Sequence, residues 1–290
     1  MNKKSVKTWS TPVIREERRL IPCALCGEKT FQPGLSCEGF FYVRCTRCAL
    51  IQMNPQPLEQ AVAYRYQESH GENYLAYELA NEAAFLRLQE LALGDGGFYE
   101  LEEGLKKKGT PKVLDAGCAT GALLDMLRDR GWETAGVEIS PAAAYARQER
   151  NLNVKSLPLE ESRFPGDYFD LVLASHLIEH LNDPAGFVRE AYRITVPGGR
   201  FFITTPNIAG FQARLFRGRW RSAIFDHLYL FSVKTLSRLL RNSGFTPERI
   251  VTWGGLAAGS APAPVKRLAD RWAKRFGFGD VMLIRAIKGR

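Results

Sequence analysis

The sequence predicts an α/β protein: a doubly wound, mainly parallel sheet preceded by a small metal-binding ribbon. Three observations carry this. The apolar run Lys112-Val113-Leu114 feeds a glycine-bearing turn, Asp115-Ala-Gly-Cys-Ala-Thr-Gly121, and a helical periodicity leaves it at Ala122–Leu127. Strand-like and helix-like stretches then alternate, which is the pattern of a parallel sheet with helices on both faces. Ahead of them stand two Cys-x-x-Cys pairs.

Taken in order, residues 1–20 are a basic, polar arm. Residues 21–57 make the ribbon. Cys23-x-x-Cys26 and Cys45-x-x-Cys48 are separated by eighteen residues, the spacing that places four thiolates around one tetrahedral Zn²⁺. Phe40–Arg44 reads as a strand leading into the second pair, and Asn54-Pro-Gln-Pro57 as a break. Residues 58–108 are a helical cap and linker: helical composition from Leu58 to Leu93, with Tyr64, Tyr66, Tyr74 and Tyr77 early, then a charged linker from Glu102 to Gly109. The core occupies 109–290. Strands are expected near 112–115, 134–138, 153–156, 169–174 and 199–205, and helices near 121–130, 141–150 and 184–195. Pro197-Gly-Gly199 reads as a turn. A helix from Val233 to Asn242 and strands over 249–253 and 281–287 complete the core.

Hydrophobic content of 45% and charged content of 24% are those of a globular protein. No run of 18 or more apolar residues and no signal-peptide pattern is present, so the expected location is the cytoplasm, with room for a peripheral position at the inner membrane surface. The net charge of +9 is uneven: residues 211–290 carry +12 and the other 210 residues −3. An anionic partner for the C-terminal part follows, whether phosphorylated substrate, lipid headgroups or nucleic acid; a solvated basic surface is the alternative.

A glycine turn between strand and helix lets backbone N–H groups and the helix N-terminus approach a polar ligand closely. Seventeen residues past Gly121, Glu138 ends the strand-like run 134–139, where a carboxylate can accept both hydroxyls of a ribose. The pairing points to an adenosine-containing cofactor. No Lys-Ser/Thr follows the glycines, which excludes a P-loop NTPase.

The order Asp-x-Gly-x-x-x-Gly, with Glu138, Phe169–Val172, Ile178–Leu181, Pro197–Gly199 and Asp226–Ser232, resembles class I S-adenosylmethionine-dependent methyltransferases over residues 110–255. Within them it is most similar to the ubiquinone-biosynthesis O-methyltransferases. The family usually has a further glycine where Ala119 stands. The resemblance implies a Rossmann-like core and S-adenosylmethionine as cofactor. Asp115, Gly117 and Gly121 would contact its methionine end, Glu138 its ribose and Leu157 its adenine; Cys118, Ile139 and Ser175 complete the expected binding set, Cys118 also being suited to packing. It implies methylation of a small or lipid-linked acceptor such as a saccharide, quinone-like compound or secondary product. An RNA methyltransferase using the ribbon and basic tail to grip RNA, and a non-catalytic binding protein, are the alternatives.

His176-Leu-Ile-Glu179-His180 follows the fourth core strand, where an open sheet puts its ligand crevice. The spacing also matches an inverted zinc-peptidase motif, but Asp183-Pro184 soon breaks any helix that could carry it. Two roles stay open. His180 or His227 can act as general base, since an imidazole pKa of ~6.5 suits proton removal near neutrality. Alternatively His176, Glu179, His180 and His227 bind a divalent metal that acidifies the acceptor. The simpler reading makes the histidines hydrogen-bonded packing residues.

Two segments interleave cations with aromatic residues. Phe211–Arg221 sets four arginines among Phe211, Leu215, Phe216 and Trp220, and Ala263–Phe276 places Val265, Leu268, Trp272 and Phe276 on one face. Such segments can lie on an anionic membrane, cover a substrate, or grip RNA.

Overall fold

The computed structural model describes residues 17–37, 39–66, 68–254, 273 and 277–289; of these, side chains at 63 and 68–72 are left aside. Most of the basic arm and the Ala263–Phe276 segment, Ala273 excepted, lie outside the described residues.

The N-terminal part contains β1 (Arg18–Arg19), β2 (Phe31–Cys37), β3 (Phe40–Cys45), β4 (Ile51–Met53) and β5 (Gln56–Pro57). Three helices follow: α1 (Glu59–Tyr64), α2 (Glu68–Gly96) and α3 (Phe98–Lys106). The core comprises β6 (Lys112–Ala116), α4 (Ala122–Asp129), β7 (Glu133–Val137), α5 (Ala142–Arg150), β8 (Val154–Lys155), β9 (Phe169–Ser175), α6 (Pro184–Ile194) and β10 (Thr195–Pro206). Then come α7 (Phe211–Phe216), β11 (Tyr229–Leu230), α8 (Val233–Asn242), β12 (Phe245–Trp253) and β13 (Val281–Lys288).

The seven-stranded sheet runs β12-β13-β10-β9-β6-β7-β8. It is parallel except where β13 lies antiparallel between β12 and β10. Its central strands read Val-Leu and Leu-Val-Leu without alternation because both faces are covered: Val113, Leu114, Leu171 and Val172 are all fully buried. The chain order reverses at β6, which pairs with β7 on one side and β9 on the other. In an open α/β sheet the ligand crevice lies beyond the carboxyl ends of the strands at that reversal.

Two expectations are corrected here. The charged stretch 102–109 is not a linker: α3 carries it to Lys106. Phe98 of α3 is buried and stacks on Trp132 at 5.5 Å, while Glu102 pairs with Lys106 and accepts from the Trp132 indole N–H at 2.9 Å. The Pro197–Gly199 turn is a bulge within β10, where the pairing with β9 shifts register between Thr195 and Arg200.

The ribbon is joined to the core by backbone pairing. Strand β11, from the loop after β10, adds antiparallel to β4, giving a second sheet of order β11-β4-β3-β2. The two knuckles sit at one end of this sheet, the second forming the turn between β3 and β4.

Candidate cofactor and acceptor site

The residues expected to hold the cofactor are a glycine turn and two carboxylates. Gly117 and Gly121 have φ of +73° and +77°, and Gly121 could not carry a side chain: a Cβ there would stand 2.5 Å from Leu152 Cδ1. Ala119 also adopts a left-handed φ of 46°, a conformation that favours glycine. Glu138, just past β7, closes the turn by accepting the Ala119 N–H at 3.0 Å and the Ser140 N–H at 2.8 Å. Each carboxylate oxygen keeps a further lone pair for a ligand hydroxyl. Asp115 ends inside the sheet, 2% exposed, and burial, with Glu138's charge adding to it, pushes its carboxyl up to about 8. A buried carboxylate raised in this way is relieved by a bound cation. Two acidic groups, one suited to paired hydroxyls and one to an ammonium, fit the ribose and the methionine amino group of S-adenosylmethionine.

Helix α2 covers this side. Glu82 accepts from the Thr120 hydroxyl at 2.5 Å and from Arg150 at 2.6 Å, tying the helix to the glycine turn. One turn earlier, burial and the charges of Glu138 and Glu82 push Glu78 up to about 7. Of the other expected cofactor residues, Ile139 is half-buried, Ser175 ends β9, and Leu157 stands 40% exposed after β8. Cys118 turns inward to pack with Leu124, Ala143, Ala146, Leu152 and Val154, and its N–H donates to the Val137 carbonyl, so its part in the turn is packing.

The residues expected on the acceptor side follow β9 and β10. Residues Ile178–His180 form a single 3₁₀ turn rather than a longer helix, and His176 precedes it with φ of 52°. That conformation carries the His176 ring outward, 49% exposed, away from the ligand set in which the sequence groups it with Glu179, His180 and His227. The residues brought together are Glu179, His180 and His227, whose ligand atoms lie within 4.8 Å of one another. Glu179 is buried and accepts from the Thr205 hydroxyl at 2.9 Å. Its second oxygen is 3.3 Å from His176 Nδ1, outside hydrogen-bond geometry. Burial alone would raise this carboxyl; the imidazoles of His176, His180 and His227 outweigh it and hold Glu179 at about 2.

Both buried-side imidazoles are oriented by carbonyls. His180 Nδ1 lies 3.0 Å from the Asp226 carbonyl and His227 Nδ1 lies 2.8 Å from the Ser222 carbonyl. A carbonyl only accepts, so each Nδ1 carries the proton and each Nε2 presents a lone pair. The rings meet edge to face at 4.7 Å. Burial lowers His227 to about 3, keeping it neutral. Tyr66 reaches His180 Nδ1 at 3.2 Å and packs edge-on against Tyr74. Arg65 pairs with Asp226 at 2.9 Å. Neither Tyr66 nor Arg65 was marked by sequence spacing; the tyrosine-rich start of the helical segment was the one visible signal.

Cys23, Cys26, Cys45 and Cys48 converge, with Sγ–Sγ separations of 3.4 Å for Cys23–Cys48 and 3.6 Å for Cys26–Cys45. All four are free thiols. A tetrahedron of thiolates at ~2.3 Å from a Zn²⁺ has edges of about 3.8 Å, so the four fit one such ion with little movement.

The sequence profile of the methyltransferase-domain family matches residues 79–250, more than half of the chain. The chain belongs to this family. A Mycolicibacterium smegmatis protein bearing the name of an S-adenosylmethionine-dependent methyltransferase is 34% identical over 143 residues, 47% of this chain and 52% of its own. A ubiquinone biosynthesis O-methyltransferase of Acinetobacter baylyi is 27% identical over 170 residues, 54% of this chain and 66% of its own. The chain thus spans between half and two thirds of these relatives. Among solved structures, a methyltransferase chain from the complex with the Haloferax volcanii Trm112 methyltransferase activator superposes with a TM-score of 0.55 at 19% identity, covering 76% of this chain and 96% of that one. The [4+2]-cyclase SpnF superposes at 0.50, also at 19% identity, covering 70% and 81%. These likenesses establish the Rossmann-like methyltransferase fold, and the cyclase shows that the fold alone does not fix the reaction.

Proposed function

We propose that this protein transfers the methyl group of S-adenosylmethionine to a hydroxyl of a small or lipid-linked metabolite, with His180 as general base. One observation carries the reading. The glycine turn follows β6, Glu138 follows β7 and Glu179–His180 follow β9, so both groups come after the carboxyl ends of neighbouring strands, where an open sheet puts its ligand crevice. Membership of the methyltransferase-domain family supports the cofactor. The quinone-pathway relative supports a hydroxyl acceptor, with saccharides and secondary products the other classes.

When bound, the cofactor supplies an electrophilic sulfonium methyl. Asp115 would hold its ammonium group, Glu138 its ribose hydroxyls, and the Gly117–Gly121 turn would let its backbone approach. On the other side, the Nε2 lone pair of His180 takes the acceptor hydroxyl's proton as the oxygen attacks. The Asp226 carbonyl keeps Nδ1 protonated throughout, and ionised Glu179 nearby stabilises the imidazolium that results. Holding nucleophile and methyl in line supplies much of the acceleration.

A second reading is favoured by the shape of the trio: Glu179, His180 and His227 could together hold a divalent ion that acidifies the acceptor, since both imidazoles have the carbonyl-anchored Nδ1–H usual for metal ligands. Metal content separates the two. One zinc per chain fits the ribbon alone and the base reading; a second metal equivalent lost in Glu179→Gln would favour the metal.

The surface after β10 supports a location at an anionic membrane. Phe211, Leu215 and Phe216 are exposed together with Arg214, Arg217 and Arg219, while Trp220 of the same segment is buried in the core. The functional test is label transfer from methyl-tritiated S-adenosylmethionine into a cell extract split into RNA, organic-soluble and small aqueous fractions. Label in either of the last two supports the proposal. Label in RNA would replace it with the RNA reading, and no cofactor binding at all would leave a non-catalytic protein.

A further inference from the structure

The four-cysteine ribbon and the acceptor-side loop are physically one unit. Loop 222–228 supplies His227 and the Asp226 carbonyl that orients His180, and it is held on both sides. From the core, Leu228 N–H donates to the Glu179 carbonyl at 2.7 Å. From the ribbon, the Tyr42 hydroxyl lies 2.9 Å from both the Ile224 and the His227 carbonyls. Met53 N–H donates to the Leu228 carbonyl at 2.8 Å, and Tyr229 and Leu230 pair with Gln52 and Ile51. Phe40 packs edge-on against Phe225 at 5.7 Å.

These contacts come from the strands that the second knuckle joins. Tyr42 lies three residues before Cys45 and Met53 five after Cys48, with the turn between them closed by Cys45 N–H on the Leu50 carbonyl at 2.9 Å. The first knuckle is fixed to the same hairpin: Gln52 accepts the Ala24 N–H at 3.2 Å and donates to the Pro22 carbonyl at 3.2 Å. Tyr42 is 1% exposed, so its hydroxyl has no water to replace the two carbonyls.

We propose that Tyr42 is a positioning residue through which the metal-loaded ribbon sets the orientation of His227 and His180. The ribbon is then a jig for the acceptor site rather than a handle for nucleic acid. The inference rests on reading those two histidines as the acceptor-side residues. Metal at the knuckles fixes the register of β3 against β4, and that register places the hydroxyl and the Met53 N–H on the loop. The glycine turn and Glu138 share none of these bonds, so cofactor binding is independent of the ribbon.

The test uses the full chain with its zinc and reads the imidazole ¹⁵N and ¹H resonances, of which the sequence offers only four sets. Tyr42→Phe keeps the ring and its packing and removes the hydroxyl. Expected are shifted His227 and His180 resonances, turnover reduced about tenfold (the loss of one buried hydrogen bond), and unchanged S-adenosylmethionine affinity. Zinc removal by a chelator should move the same two sets. Phe41→Ser, at the neighbouring half-exposed position of β3, is the control that leaves them in place. Unmoved His227 and His180 signals in Tyr42→Phe, or loss of cofactor affinity equal to the loss of turnover, would overturn the proposal. Because the resonances report the loop directly, a failure of the methyl-transfer reading shows separately, as absent cofactor binding.

Discussion

The two halves of the proposed site are built in opposite ways. The cofactor half comes from one short span, Asp115 to Glu138, and uses backbone N–H groups, two glycines and two carboxylates. The acceptor half gathers Tyr66, Glu179–His180, Thr205 and loop 222–228, and is braced from outside by Tyr42 and Met53. The first half needs only two neighbouring strands, β6 and β7, with the turn and helix between them. The second exists only once the whole chain has folded. Perturbations should therefore separate: changes on one side act on cofactor affinity, and changes on the other act on turnover.

The largest effect is expected at His180. His180→Ala should lower turnover by roughly 10²–10⁴-fold, the range for losing a general base, with cofactor affinity intact. An alanine variant with full turnover would end the base assignment. Next comes the cofactor turn. Gly121→Val meets both a left-handed φ and the Leu152 side chain, and should weaken S-adenosylmethionine binding about 10–100-fold, as overpacking of ~1–3 kcal/mol implies. Equal losses of affinity from Gly121→Val and His180→Ala would erase the distinction between the halves.

The glycine turn was legible because its ligands are contiguous and each residue type has a local steric or charge reason. The order of core strands and helices was legible for the same kind of reason, from short apolar runs alternating with helical periodicity. Helix α3 was not, because its Glu102, Glu103 and Lys106 read as a charged linker until Phe98 is seen to enter the core. On the proposed acceptor side the sequence marks His180 by its place after β9 but groups it with His176, since nothing in the spacing reveals a left-handed residue before a 3₁₀ turn. Tyr66 and Arg65 meet partners 114 and 161 positions away, distances over which sequence pattern carries no signal. The convergence of the ribbon's four cysteines was legible from their spacing, whereas its pairing with β11 was not.

Asp115 gives a pH test of the cofactor half. Its carboxyl titrates near 3.8 when unperturbed and at about 8 in the fold. Between those values the native state holds a proton that the unfolded chain lacks, so raising pH through this window removes stability. The cofactor-free protein should lose thermal stability as pH rises from 6.5 to 8, and S-adenosylmethionine should restore more of it at the upper end. Asp115→Asn should flatten that loss; a slope unchanged in the variant would assign the effect to another group. The smallest effect is expected at the exposed basic patch. Arg217→Gln with Arg219→Gln should weaken adsorption to vesicles containing anionic lipid by ~1 kcal/mol per arginine in a co-sedimentation assay, leaving cofactor affinity untouched. Equal adsorption of variant and wild type would remove the membrane from the proposal.

The most direct test of the account is calorimetric titration of S-adenosylmethionine into the wild-type chain, Glu138→Ala and His180→Ala. The account predicts one site per chain in the wild type, the same affinity in His180→Ala, and a loss of affinity in Glu138→Ala. A wild-type chain that binds no S-adenosylmethionine, or a Glu138→Ala variant that binds it as well as wild type, would contradict it.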